Sequence, residues 1–246
     1  MGTLLLKIRR GESPVYRVIR DTARRILNST LPLPRFLRPL LRVAFNSQQA
    51  TRMGLLWIAS YFILEPMFRG CCVSVGKGFR LWRMPFLIGH TKIYIGDNVN
   101  FFGKVDILSG RLFDEPKLIL GNGVDIGDNV VFVVNKEIVL GDDVNVANGV
   151  RFMDTDAHPR DTMERAAGLP PRPEEVKRVH IGRYAWIGQN SFIMKGVTVG
   201  EGAIIGVGSV VVNDVPAYCV AIGNPAKVVV KNIDRTAASP TPNNPA

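Results

Sequence analysis

The stretch "IGRYAWIGQNSFIMKGVTVGEGAIIGVGSVVV", residues 181–212, decides the fold. Ile181, Ile187, Ile193, Val199, Ile205 and Val211 stand six residues apart without a miss. The position after each is Gly182, Gly188, Met194, Gly200, Gly206 or Val212. Four residues after each comes Ala185, Ser191, Val197, Ala203, Ser209 or Val215. A hexad with one inward aliphatic, a glycine and a small residue near a corner is one side of a triangular coil. Three such strands make one turn of a parallel β-helix, each turn hydrogen-bonded to the next, with the aliphatics stacked inside.

Working back toward the N-terminus, the same pattern returns as "IGDNVN" (95–100), "LGNGVD" (120–125), "IGDNVV" (126–131), "LGDDVN" (140–145) and "VANGVR" (146–151). Gly-Asx pairs such as Gly96-Asp97 suit corners that need turn conformations. The phase slips near residues 108–119, 132–139 and 153–180, where loops or irregular turns are pushed out of the coil. This spacing resembles the hexapeptide-repeat family. The resemblance implies an all-β fold, a left-handed parallel β-helix, whose hand is an exception to the right-handed crossover rule. The predicted organisation is an α-helical, basic N-terminal arm over 1–70, then a β-helix domain over 71–230. About seven to eight coils are expected, with an inserted loop over 158–177. Residues 231–246 are expected to be a disordered tail.

The net charge of +10 is uneven. Residues 1–70 hold 12 Lys/Arg against 3 Asp/Glu, and the remainder holds 19 against 18. One basic arm on a nearly neutral body argues for a local anionic partner such as a membrane surface rather than nucleic acid. Ser13-Pro14 is a helix start, with Ser as cap and Pro in the first turn. Val15, Val18, Ile19, Ala23, Ile26 and Leu27 then share one face, and Arg17, Arg20, Arg24 and Arg25 the other, as far as about Asn28. Residues 31–45 read as Pro-broken, and Met53–Phe68 as a second, more apolar helix. Two settings satisfy these helices: a lipid surface, or packing against the main domain or across a subunit interface. The longest apolar run, Met53 to Leu64, is too short to span a bilayer. The N-terminal "MGTLLLKIRRGES" has too short an apolar run for a secretory signal. Cys71, Cys72 and Cys219 form no CxxC pair, which fits a reducing, cytoplasmic setting.

The chemistry turns on three histidines. His90 and His180 sit at expected repeat corners. His158, in "FMDTDAHPRD", opens the longest excursion from the repeat. A histidine at the mouth of a loop on a rigid scaffold suits a general base, since imidazole ordinarily titrates at about 6.5. Asp154, Asp156 and Asp161 are all near enough in sequence to fix its tautomer. A metal site of three histidines would need two of them close in sequence, and positions 90, 158 and 180 are not.

Residues 95–230 resemble the hexapeptide-repeat O-acetyltransferases of the galactoside, maltose and polysaccharide group. His158-Pro159 resembles that group's His-Pro. "IGRYAWIGQN" resembles its IGxxxWIGxx segment, and "IGVGSVVVNDVPAYCVAIGNPAKVV" its C-terminal ending. The resemblance implies an acetyl-CoA-dependent homotrimer acting on a saccharide acceptor, with acetyl-CoA as co-substrate and no metal. It implies His158 as base, and Asn135 and Trp186 at the acceptor. Nearness to His158 in sequence alone makes Asp161 a candidate catalytic residue, with Asp154 and Asp156 left open as the partner. A backbone amide near Gln189 would serve the oxyanion, with Val207, Val212 and Asn213 along the CoA channel and Lys227 near its phosphates. Met194 and Val212 depart from the glycine position. The long basic arm, absent from the maltose and galactoside enzymes, points toward polysaccharide or lipopolysaccharide biosynthesis at the inner face of the cytoplasmic membrane. N-acetylation of an amino sugar needs the same base. A non-catalytic β-helix scaffold needs neither His158 nor the C-terminal ending.

Overall fold

In the computed structural model, which describes residues 2–29 and 34–233, each hexad becomes one short strand and one corner. Trp186–Ile187, Phe192–Ile193, Thr198–Val199, Ile204–Ile205 and Val210–Val211 are two-residue strands in succession. The first residue of each points out and the second points in. Ile187, Ile193, Val199, Ile205 and Val211 are at most 1% exposed. Each strand pairs in parallel with the strand one turn on, as Trp186 with Ile204 and Phe192 with Val210.

The strands form three sheets that are the faces of a prism. Face A runs Ser74–Val75, Lys92–Ile95, Lys117–Leu120, Glu137–Leu140, Val179–Ile181, Thr198–Val199. Face B runs Arg80–Leu81, Asn100–Phe101, Asp125–Ile126, Asn145–Val146, Trp186–Ile187, Ile204–Ile205, Val220–Gly223, and ends on Ala226–Val230. Face C runs Phe86–Ile88, Val105–Leu108, Val130–Val133, Arg151–Met153, Phe192–Ile193, Val210–Val211. Every strand pairing is parallel except the last, where Ala226–Val230 folds back antiparallel on Val220–Gly223. The coil completes six turns and begins a seventh, fewer than the seven to eight expected. The chain between Met153 and Val179, long enough for a turn of its own, is diverted outward instead. The structure also corrects His180, which is not a corner residue. It sits in the strand Val179–Ile181 and faces outward.

The interior is a set of stacked columns. Phe101, Ile126, Val146, Ile187, Ile205 and Ala221 line face B, and Ile107, Phe132, Phe152, Ile193 and Val211 line face C, all buried. The Phe132 and Phe152 rings stack with centroids 5.0 Å apart. At regular corners a residue takes a left-handed conformation, as in Asn98 (φ 56), Asn129 (φ 58), Asp143 (φ 55) and Asn190 (φ 56). Asn and Asp tolerate it because their short polar side chains bond locally. The small fifth residues Ala185, Ser191, Ala203 and Ser209 are fully buried where the corner is tight.

The chain divides into two compact units, residues 1–52 and 53–246. Residues 53–69 close the first turn of the coil, as an open end of stacked strands requires. A π-helical turn at Ser60–Leu64 is followed by the helix Glu65–Arg69. Phe68 lies buried against Phe79 and Phe101. Ser60 Oγ donates to the Leu81 carbonyl. Arg69 pairs with the buried Glu65 at 3.0 Å and donates to the carbonyls of Val75 and Gly76. The N-terminal unit holds the helix Gly2–Arg10 and the helix Pro14–Asn28, which starts where Ser13 Oγ accepts from Tyr16 N at 3.2 Å. Val15, Val18, Ile19, Ile26 and Leu27 are all exposed. The Pro-broken reading of 31–45 is corrected in part, because a helix runs Arg38–Ala59. Pro39 sits in its first turn, where a missing N–H costs nothing. Among the described residues no helix is long and apolar enough to cross a membrane. Of the expected tail, residues 234–246 lie outside the described residues.

Candidate active site

The three phase slips of the repeat fall on one edge of the prism, the corner from face C to face A. Residues 109–116, 134–136 and 154–178 are successive corners on that edge. Hydrogen bonds tie the three together. Asn135 Oδ1 accepts from Gly110 N at 3.1 Å. Behind it, the Asp154 carboxylate accepts from the backbone amides of Asn135 (2.8 Å), Lys136 (2.6 Å) and Glu137 (2.9 Å). Asp154 is fully buried. Burial pushes its pKa up from 3.8 to about 6, and the amides act in the opposite sense. A Cβ at position 110 would collide with Asn135 Oδ1, so any side chain there would displace Asn135.

From Asp154 the chain turns outward. Buried Thr155 accepts through Oγ1 from Ala157 N at 3.1 Å, and Ala157 takes a left-handed conformation (φ 66). These two residues project His158 into solvent reach while Pro159 is buried. The loop beyond is self-bonded. Arg165 Nη1 donates to the carbonyls of Pro159 (3.0 Å) and Arg160 (3.1 Å), and Arg172 pairs with Glu164 at 2.7 Å. The result is a cavity of about 630 Å³ between coil and loop. Its polar lining includes Ser109, Arg111, Asn135, His158 and Arg165, and its walls are Leu108, Leu112, Val133, Leu169, Pro170 and Pro171.

Asp161, expected to assist His158, has a structural task of its own. Asp161 caps the helix Thr162–Ala166, accepting from Met163 N (2.8 Å) and Glu164 N (2.9 Å). Those amides, that of Glu164 first, hold its pKa below the ordinary carboxylate value. Asp156 is engaged by Lys195 at 2.6 Å and Arg160 at 3.7 Å. Among the described residues no group hydrogen-bonds or ion-pairs with His158.

Of the predicted site residues, the fold brings Asn135 and His158 to one cavity. The others stand elsewhere. Trp186 faces outward on face B, Gln189 lies on the next corner, and Val207 lies on that same corner one turn further. Val212 and Asn213 share the site's edge but follow face C two turns beyond Met153. Lys227 lies on the terminal hairpin, in register with Ile222. Arg111, Arg165 and Lys195 were not singled out from sequence. Arg111 lies inside a phase slip, which was the available signal. Among the described residues no cluster of three or more His, Cys, Asp or Glu could hold a metal ion.

The comparisons agree with this architecture. Residues 178–213 match the bacterial transferase hexapeptide family, six repeats long. The chain also has curated relatives. A provisionally named acetyltransferase from Staphylococcus aureus (strain COL) is 38% identical over 124 residues, 50% of this chain and 59% of that protein. A similarly named one from Saccharomyces cerevisiae is 37% identical over 117 residues, 45% of this chain and 57% of that protein. The chain thus spans under two thirds of the length of the curated relatives it matches. Among solved structures, AntD, an N-acyltransferase from Bacillus cereus in complex with dTDP and 3-hydroxybutyryl-CoA, shares the fold. It aligns with a TM-score of 0.53 at 20% identity, over 69% of this chain and 88% of that one.

Proposed function

We propose that this chain is an acyl-CoA-dependent O-acyltransferase that moves acetyl from acetyl-CoA to a sugar hydroxyl in polysaccharide or lipopolysaccharide biosynthesis. The observation that carries the proposal is the shared cavity of His158 and Asn135, built where the repeat breaks. Its chemistry follows. A neutral His158 imidazole takes the proton of the acceptor hydroxyl as that oxygen attacks the thioester carbonyl carbon. The carbonyl oxygen gathers negative charge, for which a backbone N–H near Gln189 is the proposed donor. The C–S bond then breaks, and the CoA sulfur receives the proton from the imidazole. Asn135, its corner fixed from behind by Asp154, holds the acceptor.

In this reading the coil winds left-handed and the protein is a cytoplasmic homotrimer. Trp186 and Gln189 then serve the cavity of an adjoining copy, since within one chain they stand on another face. Val207, Val212 and Asn213 flank the pantetheine path, and Lys227 meets the CoA phosphates. The arm over 1–70 holds the enzyme to the inner membrane face. Support for the arm's role is the exposed apolar row from Val15 to Leu27 backed by four arginines. Calorimetric titration with acetyl-CoA, CoA and desulfo-CoA tests the reading. Binding near one site per chain is expected. No binding at millimolar acetyl-CoA would leave a non-catalytic coil.

A further inference from the structure

We infer that the acceptor carries an anionic group, a carboxylate or a phosphate, which Arg111 and Arg165 hold while His158 addresses its hydroxyl. The inference rests on the acyltransferase reading and adds the substrate class. Two guanidinium groups line the cavity with His158, and no Asp or Glu does among the described residues. Three carboxylates of the surrounding loop are occupied elsewhere. Asp156 pairs with Lys195 and Arg160, Glu164 with Arg172, and Asp161 with the start of its helix. The nearest buried carboxylate, Asp154, faces three backbone amides rather than the cavity.

The two arginines differ in freedom. Arg165 uses one nitrogen, Nη1, on the carbonyls of Pro159 and Arg160, which orients the guanidinium and leaves its other donors unused. Arg111 makes no hydrogen bond or ion pair among the described residues. An exposed arginine without a carboxylate, turned to a partly apolar cavity, is strong for an anion. The planar fork matches carboxylate and phosphate alike, and low-dielectric walls strengthen the pair. Leu108, Val133 and Pro170 offer a surface for the C–H face of a sugar ring. A neutral sugar would leave Arg111 without a counter-charge.

The test measures equilibrium binding, by saturation-transfer NMR, of D-glucuronate, D-glucose 6-phosphate and D-glucose to the full chain at low salt. Wild type and the variants Arg111→Gln and His158→Ala are compared. The account expects one or both anionic sugars to bind at least about tenfold more tightly than glucose, the scale of one charge-assisted contact. Arg111→Gln should erase that preference, and His158→Ala should retain it. Preference for glucuronate alone assigns a carboxylate, and preference for the phosphate ester assigns a phosphate. Equal binding of all three sugars, or an unchanged preference in Arg111→Gln, overturns the inference. Acetyl transfer is read separately. Anion-selective binding without transfer would sink the acyltransferase reading and leave the anion site standing. Transfer to glucose as readily as to the acids would do the reverse.

Discussion

Residues 181–212 and residues 134–178 belong to one coil and follow opposite rules. In the first, every sixth side chain is an aliphatic shut inside, and each corner repeats the one before. In the second, two corners on one edge leave the repeat. One is a tight wrap around Asp154, and the other is a long loop with its own helix. The regular stretch contributes no residue to the cavity of His158 within its own chain. The broken stretch carries a buried carboxylate, an oriented asparagine, an outward histidine and a cavity. Repetition gives stiffness because each turn is templated by the last. Departure from repetition is where side chains of unlike chemistry can converge, since nothing there must match the turn above.

Substitutions in the two stretches should therefore fail in different ways. Ile187→Ala, in the regular ladder, removes a fully buried side chain with aliphatic neighbours above and below. It should cost about 2–5 kcal/mol of unfolding free energy, read by urea denaturation, while turnover per folded molecule stays near wild type. Loss of turnover in the folded variant would break the division between ladder and site.

Asp154→Asn should leave the coil folded and change its pH response. The folded carboxyl holds its proton to about pH 6, against 3.8 ordinarily. The folded state therefore binds more protons than the unfolded state between those values. The contribution of Asp154 to stability is present at low pH and is lost as pH rises through about 6, a span of ~3 kcal/mol. Unfolding free energies at pH 4 to 7 should show that slope in wild type and a flatter curve in the variant. Identical slopes would mean that Asp154 keeps its ordinary pKa. Turnover should also fall in the variant, because an amide cannot accept from three backbone N–H groups on two oxygens as the carboxylate does.

Asp161→Ala removes a helix cap and nothing at the reacting atoms. A local loosening of the loop is expected, read by hydrogen exchange, with turnover within a few-fold of wild type. A collapse in turnover would restore the direct catalytic role that the helix amides argue against.

The same contrast governs what was legible in the sequence. The period of six in 181–212 predicted strand positions, inward residues and tight corners, because in a templated coil local spacing dictates long-range contact. The start of the helix at Ser13-Pro14 was legible for a similar reason, as capping is a local matter. The three phase slips were visible as slips. That they stack on one edge depends on counting turns, which irregular corners obscure. His158 and Asn135, singled out from the sequence, line one cavity. The capping role of Asp161 was not legible, because proximity in sequence to a histidine says nothing about amides two and three residues ahead that bond to one of its oxygens. Arg111 was missed because an arginine in an irregular stretch has no pattern to mark it. Its place in the cavity follows from the loop at 154–178 folding back over a corner two turns away.

The most direct test is acetyl-CoA cleavage by wild type and His158→Ala across a panel of sugar acceptors, with acetyl-CoA binding measured in parallel by calorimetry. The account predicts equal binding, equal melting temperature and a loss of acceptor-dependent thiol release of about 10²–10⁴-fold in the variant, the range for a general base. Thiol release undiminished in His158→Ala would contradict it.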